Sequence, residues 1–75
     1  MTISLSFEQV KNAYKQFKDS HKEKDFDYYY ITHSYMNTFI QFAEEKNLTE
    51  EVELYKKVKK QCETKIKEMG YNFNP

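Results

Sequence analysis

The sequence predicts an all-α domain, a small up-down bundle of three helices, and three observations point to it. Apolar residues recur every three or four positions along three separate segments, the spacing of a helical face. The 75 residues hold one glycine and one proline, Gly70 and Pro75, both near the C-terminal end, whereas sheets rely on such residues for their turns. The connections between the segments are short, and short connections favour antiparallel neighbours. The expected helices run over about residues 6–22, 26–46 and 49–69 of a single domain, with a tail at 70–75.

The first helix begins at Ser6. In Ser6-Phe7-Glu8-Gln9 the serine oxygen is placed to accept from the Gln9 amide while the Gln9 side chain reaches back, a capping box. Leu5 and Val10 are placed as a hydrophobic staple across that cap. Phe7, Val10, Tyr14, Phe17 and His21 then share one face, with Ala13 beside them. The pattern stops in Asp19–Asp25, which holds no aliphatic residue.

Asp25 or Asp27 caps the second helix. At about 100° per residue its apolar residues spread over roughly 200°, twice the arc that one neighbour covers. Phe26, Tyr29, Tyr30, His33, Met36 and Ile40 fall on one side; Tyr28, Ile31, Tyr35, Phe39 and Phe42 fall on the other. Ser34, Asn37, Thr38, Gln41 and Glu45 are left for solvent. Such a helix must touch two neighbours, or one neighbour and a partner.

The third helix follows Thr49 as a cap, with Asn47 and Glu50 as a rival capping pair. Leu48, Val52, Tyr55, Cys62, Ile66 and Met69 form its stripe, with Val58 at the border. Glutamates crowd its first turn and Lys65 and Lys67 its last, as the helix dipole favours. Gly70 is a natural stop, and Tyr71 and Phe73 are placed to fold back onto the bundle. A rival architecture fuses the first two helices into one from Ser6 to Lys46, a long hairpin that dimerises. Lys24 and Asp25 argue against it, because they stand where a continuous stripe requires apolar residues.

Composition excludes several functions. Twelve lysines balance twelve acidic residues, so no whole-molecule field attracts nucleic acid or an anionic membrane. Without arginine the chain lacks the planar fork that grips phosphates and carboxylates. A single glycine rules out a glycine-rich phosphate loop. Neither Ser20 nor Ser34 has an identifiable histidine-and-acid pairing for nucleophilic catalysis, and Cys62 lies on an apolar stripe, the position of an inert thiol. His21, Asp25, Asp27 and His33 match no zinc spacing. The reading is therefore no enzyme, no metal, no cofactor and no evident small-molecule substrate. No span is long enough for a bilayer and no signal peptide opens the chain, so the expected location is the cytoplasm, in keeping with a lone thiol. Enrichment in Lys, Asn, Tyr, Phe and Ile fits AT-rich coding, hence an expected source in a low-GC bacterium or its phage.

What remains is binding. Tyr28, Tyr29 and Tyr30 cannot all face one interior, since helix neighbours diverge by about 100°. Tyrosine is enriched at interfaces, and Tyr28, Tyr29, Tyr35 and Phe39 are the candidate contacts for a protein partner or for self-association. The alternative is a nucleic-acid-binding module. Lys11, Lys15, Lys18 and Lys22 form a ridge on the first helix, and Lys56 and Lys60 begin another on the third, spaced to track phosphates. Glu44, Glu45, Glu50, Glu51 and Glu53, around the second connection, would suit a basic partner or a phosphate mimic.

Overall fold

The computed structural model describes residues 6–71. It contains α1 (Phe7–Ser20), α2 (Phe26–Glu45) and α3 (Thr49–Glu68), a three-helix bundle. The break between α1 and α2 excludes the fused helix.

Each terminus has a local cause. Ser6 caps α1 through the full capping box: the Gln9 amide donates to Ser6 Oγ at 3.2 Å and the Ser6 amide to Gln9 Oε1 at 2.8 Å. The staple partner Leu5 lies outside the described residues, as does Phe73. Of the two aspartates, Asp25 caps α2. Its Oδ1 accepts from the Tyr28 amide and from His21 Nε2, both at 2.9 Å, so one carboxylate starts a helix and pins the preceding connection. The amide and the imidazole hold the Asp25 carboxyl below its ordinary pKa, the amide contributing more.

The α2–α3 turn departs from the expected caps. Asn47, expected as a rival cap of α3, instead takes a left-handed conformation (φ 58°) just beyond the end of α2. Its amide donates to Glu44 O at 3.1 Å and the Leu48 amide to Ala43 O at 2.9 Å, the Schellman pattern. Leu48 then packs on the cluster that contains the fully buried Ala43. Thr49 does not cap: α3 starts from Leu48 with no side-chain hydrogen bond. The same pattern ends α3, where Gly70 (φ 91°) donates to Lys67 O and Tyr71 to Ile66 O at 3.0 and 3.3 Å.

α2 meets two neighbours, one on each side of its apolar arc. Toward α1 it presents rings: Phe42 stacks on Phe7 at 5.3 Å, Tyr35 and Phe39 lie against Tyr14 at 5.2 and 5.5 Å, and Tyr28 faces Phe17 at 6.0 Å. Edge and offset pairs of this kind add roughly 0.5–1.5 kcal/mol each beyond burial. Toward α3 it presents Ile40 and Ala43 against Val52, and, one level along, His33. His33 is buried, and its Nε2 donates to Glu63 Oε2 at 2.8 Å; a carboxylate only accepts, so Nε2 carries the proton. Glu63 is thus committed across the helix interface rather than along α3 to Lys67.

The three helices do not close evenly. No Cα of α1 comes within 8 Å of a Cα of α3. Phe7 bridges the gap at one end, edge-on to Tyr55 at 6.4 Å. Farther along α1 the gap stays open. Ala13, expected beside the buried face, is exposed, and so is Met69, expected within the α3 stripe.

Candidate functional site

The proposed contact residues divide among three environments. Phe39 is removed from the contact set: at 3% exposure it is core, held between Phe7, Tyr14 and Tyr55. Sequence periodicity grouped it with Tyr28, Tyr35 and Phe42 but did not show that α1 covers that side. Tyr35 is half-buried in the same α1–α2 ring stack. Tyr28 and Tyr29 are half-buried and edge-on to each other at 5.2 Å. The exposed member of the triplet is Tyr30, at 51%.

Tyr30 belongs to an aromatic end of the bundle that the candidate set omitted. Because α2 and α3 are antiparallel, the start of one lies beside the end of the other. Phe26 packs on Tyr71 at 4.1 Å and on Tyr30 at 5.7 Å. Tyr71 is 50% exposed and Met69 is exposed beside it in the chain. Of the four large exposed apolar residues described, only Leu54 lies away from this end. The C-terminal glycine turn creates the patch by directing Tyr71 back toward α2.

A second feature is a cleft of about 470 Å³ where α1 and α3 stand apart. Tyr14, Tyr28, Tyr29 and Thr32 form one side, and Val58, Gln61 and Cys62 of α3 the other. Lys24 and Lys65, both exposed, flank it. Thr32 is 3% exposed and its hydroxyl makes no hydrogen bond. The Tyr14 hydroxyl is near enough for Thr32 to favour its ionised form, a pull toward lower pKa, without the geometry of a bond. Burial, and then the neighbouring Tyr28, nevertheless push the Tyr14 phenol above its ordinary pKa. Thr32 was legible in principle, since it precedes Met36, Phe39 and Ala43 at helical spacing. The cleft was not, because it depends on how α1 leans.

The lysine ridge of α1 is partly engaged with its own helix. Lys11 Nζ lies 4.1 Å from the centre of the Phe7 ring and 3.9 Å from Glu8, and Lys18 Nζ lies 4.8 Å from the Tyr14 ring. Lys15, Lys22, Lys56 and Lys60 are exposed. Around the α2–α3 turn Glu44, Glu45, Glu50 and Glu53 are exposed, while Glu51 is partly covered and accepts from the Tyr55 hydroxyl at 3.5 Å. Burial first, and the Glu51 charge next, raise the Tyr55 phenol.

Cys62 is buried, and desolvation, followed by the charge of Glu63, raises its thiol above the ordinary value, which withholds the reactive thiolate. Among the described residues no three His, Cys, Asp or Glu side chains gather in a metal-binding arrangement, His21 and His33 being bonded to Asp25 and Glu63. No helix among them is long and apolar enough to cross a membrane. Comparison of the chain with protein-family models, curated proteins and solved structures gave no match.

Proposed function

We propose that this chain is a small protein-binding module of the cytoplasm, a regulator or inhibitor that acts by docking rather than by catalysis, and that its contact surface is the aromatic end formed by Phe26, Tyr30, Met69 and Tyr71. The observation that carries the reading is the half-exposure of Tyr30 and Tyr71 around the Phe26 ring. Rings held by one another lose little freedom on binding, and a tyrosine offers a broad apolar face with a polar tip. An exposed cluster of this kind is unfavourable in water unless something covers it.

Affinity capture from native lysate, with light scattering of the pure protein, tests the reading. The wild-type chain retains a specific partner or a second copy of itself. Tyr30→Ser and Tyr71→Ser reduce that retention by about tenfold or more, the scale of an interface hot spot, while helical circular dichroism is unchanged. Unaltered capture by both variants refutes the assignment. Retention on DNA that falls steeply with salt and is lost in Lys15→Glu and Lys56→Glu replaces it with the nucleic-acid reading.

A further inference from the structure

We propose that the cleft between α1 and α3 is a binding site for a small, flat aromatic carboxylate carrying a second polar group, a function separate from the aromatic end. Size, lining and charge agree on that class. About 470 Å³ falls inside the range of about 300–1,000 Å³ usual for small-ligand sites. Tyr14, Tyr28 and Tyr29 supply ring surface on one wall, which favours a planar apolar body over an aliphatic chain.

The charge in the cleft is one-sided. Among the described residues lining it none is acidic, whereas Lys24 and Lys65 stand at its exposed edge. Lys65 is only loosely occupied by Glu68, at 3.8 Å between two exposed side chains, and Lys24 has no ion-pair partner among the described residues. Glu63, whose charge reaches Cys62, is tied to His33 and does not compete for these lysines. The edge therefore attracts an anion.

The buried end contributes the independent observation. Thr32 is almost wholly enclosed and its hydroxyl is unbonded, an arrangement that folding alone disfavours. The hydroxyl is sealed from solvent beside Tyr14, so a ligand hydroxyl or carbonyl supplies the missing bond by displacing the Tyr14 ring slightly, while the carboxylate at the other end of the same molecule meets the lysines. Such two-point recognition requires a rigid spacer, which a fused aromatic ring provides.

Nitrogen-15 correlation spectra of the full chain, titrated with 6-hydroxy-2-naphthoate and separately with its neutral carboxamide, test the site. Saturable shifts are expected at the amides of Tyr28, Tyr29, Thr32 and Gln61. The carboxylate should bind about fivefold or more tightly than the amide, the scale set by two solvent-facing ion pairs. Lys24→Gln with Lys65→Gln should erase that preference without altering the helical signal. Thr32→Val should weaken binding of the hydroxylated probe to the level of plain 2-naphthoate. Val58→Trp, which fills the cleft, should abolish the shifts. Equal affinity for acid and amide, shifts confined to Phe26, Tyr30 and Tyr71, or no saturable shift overturns the proposal, and the lysine variants, being on the surface, keep the test decisive if Val58→Trp fails to fold.

Discussion

Replacing Thr32 with valine should make the protein more stable. The two side chains have nearly the same shape and both branch at Cβ, so the change costs α2 little in propensity. What differs is a hydroxyl that is buried and unbonded. An unsatisfied buried polar group costs about 1–3 kcal/mol, and exchanging it for a methyl recovers the lower part of that range, about 1 kcal/mol. In a domain of this size such a gain raises Tm by about 4–8 °C. Thermal and urea unfolding followed by circular dichroism measure it, with an unchanged urea slope showing that the same surface is buried. A fall in Tm of several degrees would refute the reasoning, because it would mean that the hydroxyl is bonded in the folded protein and that valine strands its partner. Tyr14 is the candidate for that partner. A cycle with Tyr14→Phe separates the cases: independent hydroxyls give additive effects, and a bonded pair gives a coupling energy.

Asn47→Gly should stabilise the α2–α3 turn by about 0.5–1 kcal/mol, since φ 58° strains a residue with a Cβ, and Gly70→Ala should destabilise by a comparable amount although open space surrounds it. Both are read from urea midpoints. Ile66, 1% exposed, should cost about 2–5 kcal/mol as alanine, whereas Leu54, 56% exposed, should shift stability by no more than about 0.5 kcal/mol. Equal effects at the two positions would contradict the packing described. The Asp25 carboxyl has a lower pKa folded than unfolded, so its contribution is complete above the unfolded carboxylate pKa and is lost as pH falls through the folded value. Asp25→Asn should therefore flatten the acid limb of Tm against pH between about pH 5 and pH 2.

Periodicity together with cap and stop residues located the three helices to within a residue or two at each end, because the polar run Asp19–Asp25 and the turn at Asn47 interrupt the apolar stripes cleanly. The capping box at Ser6 was legible because it depends on residues three apart. Asn47 was not, since asparagine suits both a helix start and a left-handed helix end, and the choice rests on hydrogen bonds back to Ala43 and Glu44. The tyrosine triplet correctly implied an exposed ring, but which one is decided by where α1 and α3 lie around α2. Phe39, expected as a contact, is buried for that reason, and Tyr30, outside the contact set, is the exposed ring. The aromatic end depends on antiparallel pairing that brings residue 26 beside residue 71, and the cleft depends on a helix spacing that no local pattern encodes.

The separation of α1 from α3 also sets an order of events. α2 and α3 form the more closely packed pair, stitched by the Asn47 turn and the His33–Glu63 bond, while α1 is attached mainly through rings on a single neighbour. Short-range contacts form fastest, so the hairpin should assemble first and the N-terminal helix should dock last. The same helix should be the first to lift, its amides exchanging with solvent through a partial opening cheaper than global unfolding.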